Sequence, residues 1–199
     1  MKRTIYLVRH GSHGEVGHVL SGRSEVALNA QGKAEAEALA HRLASVPIAS
    51  IHSSPRKRTR ETAAAIAACH ASEVRIAEAL DEIDFGRFAG RGFAELAGDP
   101  DWRHWNAERA TARCPEGETM AEASARAMAY IKSLPPGQAP ALCVSHCDVI
   151  RGLVAQTLNL GFDGIFAFDC DPASLTTLEF EGSVPRLVAL NERVPIGCG

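Results

Sequence analysis

The stretch Thr4-Ile-Tyr-Leu-Val-Arg-His-Gly11 indicates a buried strand that ends in polar residues. Residues 5–8 are apolar and β-favouring, which is typical of such a strand. Arg9, His10 and Gly11 follow at its end, and in open α/β sheets ligands bind at the carboxyl ends of the strands. A fixed cation beside an imidazole suits an anion whose electrophilic atom the imidazole can attack, and Gly11 lets the backbone approach that anion. The stretch therefore predicts a phosphate site.

Two further predicted strands end in polar residues of the same kind. The second strand is followed by Ser54 and Pro55, which are favourable as a helix cap and a first helical residue. This helix carries Arg58 in its first turn, where the guanidinium adds a charged fork to an anion-favouring helix terminus. A later strand delivers His146 at its end. We expect these groups to converge with Arg9 and His10 at one edge of a sheet.

The remaining segments alternate between helical and strand patterns, which favours an α/β protein with helices on both faces of a mostly parallel sheet. The predicted fold class is a three-layer α/β/α sandwich. Because no repeat or linker divides the sequence, we expect one domain over residues 1–199, with residues 87–113 (the covering segment) as an insertion over the site. The predicted elements are strands at 5–8, 48–52, 74–77, 139–145, 173–181 and 186–191, helices at 30–44, 55–69, 117–134 and 147–158, and one or two short helices within 90–113.

The composition is that of an ordinary globular protein of 199 residues, with 46% hydrophobic and 23% charged residues. A formal net charge of −3 gives no reason to expect nucleic acid as a partner. No apolar run approaches the roughly 20 residues of a membrane span, and the apolar stretch after Lys2 and Arg3 is too short for a secretory signal. We expect a cytoplasmic monomer or homodimer that binds no membrane.

Six cysteines are scattered along the chain without a Cys-x-x-Cys pair. Cys143 and Cys147 flank His146 and suggest a metal site, but no second pair of ligands accompanies them. Free thiols in a reducing compartment are the favoured interpretation.

Six segments that occur in order over most of the chain carry further motifs. They are Leu7-Val-Arg9-His10-Gly11, Gly22-Arg23 ahead of Leu28-Asn29-x-x-Gly32, Ser53-Ser-Pro55-x-x-Arg58-x-x-x-Thr62-Ala63, Leu80-x-Glu82-x-x-x-Gly86, Pro115-x-Gly117-Glu118-Thr119, and Val144-Ser145-His146 followed by Val149-Ile150-Arg151. Together they resemble the motifs of the histidine phosphatase superfamily, the phosphoglycerate-mutase-like proteins.

The resemblance implies a phosphoglycerate-mutase-like fold and a phosphohistidine mechanism that requires no metal or cofactor. His10 is the implied nucleophile, and Arg9, Arg58 and His146 are the implied cationic pocket around the phosphoryl oxygens. Glu82 is the implied acid that protonates the leaving oxygen and then the base that activates water. Because a nucleophilic histidine must be neutral and a phosphate-clamping one is better cationic, we expect the pKa values of His10 and His146 to differ.

Gly22 and Arg23 are further candidates for substrate binding, although Arg23 is equally well interpreted as a surface charge flanking a helix. Two aspartates, Asp81 and Asp84, share the loop of Glu82 and compete with it for the role of the acid.

Two histidines and two tryptophans can each be interpreted either as structural or as functional residues. His13 and His18 are predicted to be solvent-exposed loop residues rather than catalytic ones. Trp102 and Trp105 either line a hydrophobic wall for the substrate or pack within the covering segment.

Departures from the family's pattern bear on the substrate. The mutases carry an asparagine about five residues beyond the glycine of the first motif, and this chain has none near Val16 and Gly17. The segment between residues 82 and 115 is shorter than expected of a mutase. Cys147 and Asp148 replace the glycine pair usual after the second histidine, which predicts an extra carboxylate near the pocket.

The leading functional prediction is a metal-independent phosphomonoesterase that acts on a small phosphorylated metabolite. Phosphoglycerate mutase is the enzymatic alternative, and the missing asparagine and short covering segment weigh against it. The alternative of another class is a non-catalytic module that binds a phosphorylated ligand. Such relatives typically lack the nucleophile or a pocket arginine, and this chain retains them.

Overall fold

The computed structural model describes residues 2–195. The strands are β1 (Lys2–Arg9), β2 (Ser50–Ser53), β3 (Val74–Ile76), β4 (Ala141–Ser145), β5 (Leu175–Glu181) and β6 (Val184–Glu192). The α-helices are α1 (Ala30–Leu43), α2 (Lys57–His70), α3 (Phe93–Leu96), α4 (Pro100–Ala107), α5 (Met120–Ser133) and α6 (Cys147–Thr157). Short 3₁₀ helices occupy Glu78–Leu80, Gly86–Phe88 and Phe162–Phe166.

The strands form one sheet in the order β3-β2-β4-β1-β5-β6. The four strands from β3 to β1 are parallel, and β5 and β6 continue the sheet in antiparallel pairing. The register of β1 against β4 places Arg9 opposite Ser145, the residue before His146. The ends of these two strands, with His10 and His146, therefore meet at the same point. The mostly parallel sheet confirms the prediction.

Helices pack against both faces of the sheet, because successive side chains of a strand point to opposite faces. α1 and α2 cover the face that presents Val8, Ile51 and Val144. α5 and α6 cover the other face, with Leu7 and Cys143. The arrangement is the predicted α/β/α sandwich.

The start of α2 differs from the prediction. The helix begins two residues later, with Arg56 rather than Ser54 at its N-cap, so that Pro55 lies outside it. The Ser54 hydroxyl is instead bonded to Asp81 and lies 2.8 Å from His146 Nε2. From the start of α2 this hydroxyl accepts only a long contact, 3.4 Å from the Arg56 amide. The other predicted elements are present, with ends that differ by up to three residues.

The loop that follows His10 packs directly against the first turn of α1. Asn29 caps the helix by accepting a 2.8 Å hydrogen bond from the Gly32 amide. The Ser12 amide and hydroxyl donate to the Glu35 carboxylate at 2.7 and 2.9 Å. A Cβ at Gly32 would lie only 1.9 Å from the Ser12 carbonyl oxygen. This close backbone approach requires glycine and holds the loop beside the strand end.

Replacing Gly32 with alanine is expected to lower the free energy of unfolding by about 1–3 kcal/mol, the usual cost of overpacking. The steric clash outweighs the gain of about 1 kcal/mol in helix propensity, because a backbone carbonyl cannot rotate away as a side chain can. Urea denaturation measures the change. Gly14→Ala is the control, since a Cβ there meets nothing within 4 Å. Equal stability of Gly32→Ala and the wild type would contradict this account.

Candidate active site

Three of the predicted strand-end residues, Arg9, His10 and Arg58, line an open cavity of about 370 Å³, whereas His146, which was predicted to join them around the phosphoryl group, is not part of its described wall. Arg9 and His10 line it from the end of β1, Arg58 from α2 and Glu82 from the loop after β3. Phe93 is the contribution of the covering segment. The remaining wall consists of His13, Val16, Gly17, Val19, Ser21, Gly22, Cys147, Asp148, Arg151 and Phe166.

His10 is held as a neutral imidazole. Its Nδ1 lies 2.8 Å from the Gly11 carbonyl oxygen, which can only accept a hydrogen bond, so Nδ1 carries the proton and Nε2 the lone pair. Burial lowers the pKa of His10 well below its usual value, and the charges of Arg58 and Arg9 lower it further. His10 is therefore in the protonation state that nucleophilic attack requires.

Arg58 connects the two histidines of the site. Its Nε donates to His10 Nε2 at 3.2 Å, and its Nη2 lies 3.0 Å from His146 Nδ1. The same guanidinium donates to the carbonyl oxygens of Ser24 and Gly22 at 2.9 and 2.5 Å. These contacts fix a buried cation immediately beside the nucleophilic nitrogen.

His146 is fully buried, and its ring centroid lies 5.3 Å from that of His10. Because Arg58 can only donate, His146 Nδ1 accepts and Nε2 carries the proton, directed at Ser54, whose hydroxyl donates to Asp81 at 3.1 Å. Burial lowers the pKa of His146 well below its usual value, and the Arg58 charge adds to this effect. The expected pairing of a neutral His10 with a cationic His146 is wrong, because burial beside one guanidinium lowers the pKa of both rings.

Glu82 is a buried carboxyl group that faces the cavity. Its Oε2 lies 3.9 Å from His146 Nδ1, and its Oε1 accepts from the Ile83 amide at 3.0 Å. Burial raises the pKa of Glu82 to about 8, with a further contribution from Asp148 and an opposing one from Arg58. Glu82 is thus protonated at neutral pH and can act as an acid.

The two aspartates on the same loop are engaged in structural contacts. Asp81 accepts hydrogen bonds from Ser54 and from the Glu82 amide. Asp84 accepts from the Gly86 amide at 3.0 Å. In the described part of the chain neither aspartate lines the cavity, which favours Glu82 as the acid.

Gly22 and Arg23 occupy different positions relative to the cavity. Gly22 lines it with φ of +51°, and its carbonyl accepts from Arg58. The Arg23 guanidinium instead donates to the Glu82 carbonyl at 3.0 Å and to Glu118 at 2.9 Å. The structure therefore brings Gly22 to the wall and places Arg23 behind the loop of Glu82. Direct substrate binding by either residue stays a prediction.

The prediction that His13 is a solvent-exposed loop residue is wrong. His13 is 6% exposed, lines the cavity and has its ring centroid 5.2 Å from that of His10. Burial lowers the pKa of His13 to about 4, and Arg58 contributes to the same shift. An irregular loop has no periodicity, so no sequence signal identified this burial. His18 is exposed, as predicted.

Trp102 and Trp105 pack within the covering segment and its surroundings. Their rings stack with centroids 5.4 Å apart. Trp105 meets Phe85 edge-on at 5.5 Å, and Trp102 meets Phe88 at 5.3 Å. Among the described residues neither tryptophan lines the cavity, which confirms the packing interpretation.

Asp148 is the extra carboxylate predicted near the pocket, and it lines the cavity. Its Oδ2 lies 3.6 Å from Nη1 of Arg109, a residue that is 4% exposed. The Arg109 guanidinium lies over the ring of Trp105 at 4.1 Å and over that of Phe166 at 4.7 Å. Arg109 could not be identified from the sequence, because its partners are distant along the chain.

Three features of residues 2–195 bear on other kinds of site. No group of three or more His, Cys, Asp or Glu side chains in this range could hold a metal ion. Five cysteines in the range are free thiols, and Cys198 lies outside the described residues. None of the helices in the range is long and apolar enough to cross a bilayer.

The fold and site together define a phosphoryl-transfer class of protein. A neutral histidine, fixed arginines and a protonated carboxyl group surround one cavity at the carboxyl ends of parallel strands. Phosphoryl transfer depends on such positioning and on stabilisation of the charge of the transferred group.

Comparisons with known proteins agree with this class. The sequence profile of the histidine phosphatase superfamily (branch 1) matches residues 5–193. A probable phosphoglycerate mutase, GpmB of Escherichia coli, is 34% identical over 162 residues, which cover 78% of this chain and 75% of that protein. The chain belongs to the histidine phosphatase superfamily, branch 1, as its motifs predicted, and it is an enzyme of the phosphatase class.

Solved structures of phosphatases resemble the whole fold. A mycobacterial glucosyl-3-phosphoglycerate phosphatase superposes with a TM-score of 0.86 at 27% identity, over 96% of this chain and 100% of that one. The phosphoserine phosphatase of Entamoeba histolytica, in complex with 3-phosphoglyceric acid, has a TM-score of 0.83 at 25% identity, over 96% and 97% of the two chains.

Proposed function

We propose that this protein hydrolyses small phosphorylated metabolites through a phosphohistidine intermediate on His10. The observation that carries the proposal is the presence at one cavity of a neutral His10 and a protonated Glu82. To act together at one pH, the nucleophile must be deprotonated while the acid is protonated. The names of the relatives, which include phosphatases for phosphoserine and glucosyl-3-phosphoglycerate, support a small phosphate ester as substrate.

In the first step the lone pair of His10 Nε2 bonds to phosphorus while the bond from phosphorus to the leaving oxygen breaks. Glu82 gives its proton to that oxygen, which departs as an alcohol. Arg58 and Arg9 stabilise the negative charge on the remaining phosphoryl oxygens. His146 accepts from Arg58 and orients it toward His10.

In the second step a water molecule attacks the phosphoryl group. Glu82, now a carboxylate, takes a proton from that water as its oxygen bonds to phosphorus. The bond between phosphorus and His10 Nε2 breaks, and inorganic phosphate leaves. The nucleophile and the acid are then both restored for another cycle.

Phosphoglycerate mutase is the second candidate function, because the Escherichia coli relative carries that name at 34% identity. A mutase would return the phosphoryl group from His10 to a second position of the substrate instead of to water. The missing asparagine near Val16 weighs against it, as does the short segment between residues 82 and 115.

The proposal is tested by measuring phosphate release from a panel of esters in the presence of a chelator. The panel contains p-nitrophenyl phosphate, α-ribazole phosphate, sugar phosphates, phosphoserine, and phosphoglycerate with a bisphosphate primer. We expect release that resists the chelator, and an acid-labile, base-stable phosphoryl-enzyme when labelled substrate is quenched early.

The other outcomes separate the alternatives. Isomerised phosphoglycerate without net phosphate release would identify a mutase. Ligand binding without turnover of any ester, in a folded protein, would identify a phospho-ligand-binding module.

A further inference from the structure

Arg151 brings to the cavity a positive charge that the described chain does not neutralise. It lies on α6 and lines the same cavity as His10. Its Nε is buried without a hydrogen-bond partner. Within residues 2–195 no carboxylate oxygen lies within 4.0 Å of its guanidinium. A buried cationic donor without a partner is costly unless a ligand provides one.

When a phosphate group is bound, Arg151 is the arginine of the described cavity wall whose positive charge is not balanced. The arginines on its wall are Arg9, Arg58 and Arg151. Of the acidic groups on the wall, Glu82 is protonated at neutral pH, and Asp148 is paired at 3.6 Å with Arg109. A phosphomonoester carries a charge of about −2, which the first two arginines balance. The positive charge of Arg151 is then balanced by a second group on the substrate that carries one negative charge.

The place of Arg151 on α6 determines how far that second group lies from the phosphate. The α-helix rises about 1.5 Å per residue, so Arg151 is roughly 7.5 Å along the axis from His146. Long helical side chains lean back toward the amino terminus, which directs the guanidinium toward the phosphoryl end of the cavity. Its Cζ lies 5.4 Å from the Phe166 ring centroid, and Arg109 packs against the same ring. This separation suits a group a few bonds from the ester oxygen.

We propose that Arg151 binds a carboxylate of the substrate, so that the preferred substrates are phosphate esters of hydroxy acids or amino acids. A guanidinium fork matches a carboxylate through two parallel hydrogen bonds. A second phosphoryl group would bring about twice the charge that one arginine balances. The inference rests on the proposed phosphatase function.

The test compares esters that differ only at the carboxylate. O-phosphoserine is paired with O-phosphoethanolamine, and 3-phosphoglycerate with glycerol 3-phosphate. We expect the wild type to prefer the carboxylate member of each pair by about 10- to 100-fold in kcat/KM, the usual range for a charge-assisted pair. In Arg151→Met this ratio falls to within about threefold of unity. Arg151→Lys keeps the charge without the fork and gives an intermediate ratio.

The ratio is internal to each variant, so a partial loss of folded protein does not alter it. Arg87→Met is the matched control, because Arg87 is an exposed arginine outside the cavity wall, and it keeps the wild-type ratio.

Three outcomes would overturn the inference. Equal ratios in the wild type and Arg151→Met would do so and leave the phosphatase function standing. Fructose 1,6-bisphosphate as the best substrate, with its advantage lost in Arg151→Met, would assign Arg151 to a second phosphoryl group. Absence of hydrolysis of every ester would overturn the proposed function and this inference together.

Discussion

Replacing His10 with alanine is expected to lower kcat by a factor on the order of 10⁴ or more, since the covalent route is lost with its nucleophile. Labelled substrate should leave no phosphoryl-enzyme on the variant. Binding of inorganic phosphate should persist, because the Arg58 guanidinium keeps its carbonyl contacts to Ser24 and Gly22. Phosphate release, labelling after an alkaline quench and calorimetric binding measure these three effects.

His18→Ala is the control for this experiment, because His18 is an exposed histidine of the loop that follows the nucleophile. It should keep the wild-type rate. His13→Ala adds a sharper comparison, since the His13 ring lies 5.2 Å from the His10 ring within the same cavity. Retained turnover in His10→Ala, combined with lost labelling in His13→Ala, would move the nucleophile to His13 and contradict the proposed mechanism.

The fold was predictable because its signals lie within short segments. The apolar run at 5–8 and the periodic residues after Asn29 each identify an element without knowledge of its neighbours. Alternation of such elements then selects a parallel sheet covered on both faces. The prediction that Ser54 is the N-cap of α2 was wrong for a physical reason, since its hydroxyl is bonded to Asp81 and lies beside His146. Competition between a local cap and a distant partner is invisible along the chain.

The site was predictable where a residue has a fixed offset from a strand end. His10 and His146 follow two neighbouring parallel strands, so the sheet register alone brings them together. Their protonation states were harder to predict from the sequence, because a pKa depends on burial and on charges from several elements. The burial of His13 and the pairing of Arg109 with Asp148 likewise arise only when loops are packed against the sheet.

Replacing Glu82 with glutamine is expected to reduce activity by an amount that depends on the leaving group. For alkyl phosphates, kcat/KM, which reports phosphoryl transfer to His10 and not the later attack of water, should fall by about 10²- to 10⁴-fold, the range for loss of a general acid. For p-nitrophenyl phosphate the loss of kcat/KM should be below about tenfold, because a nitrophenolate departs without a proton. Glu78→Gln removes an exposed carboxylate just before the same loop and is the control. An equal loss for both ester types would contradict the acid role of Glu82.

The pH profile provides an independent readout of the same group. Glu82 acts in its protonated form, and burial raises its pKa to about 8. Activity toward alkyl phosphates therefore holds at neutral pH and is lost as the pH rises through about 8. In kcat/KM this loss approaches about tenfold per pH unit, because that parameter reports the free enzyme. A bound phosphate dianion raises the pKa of a neighbouring carboxyl further, so the alkaline limb in kcat should lie at higher pH than the limb in kcat/KM. If Glu82→Gln still loses activity over the same alkaline pH range, that loss belongs to another titrating group.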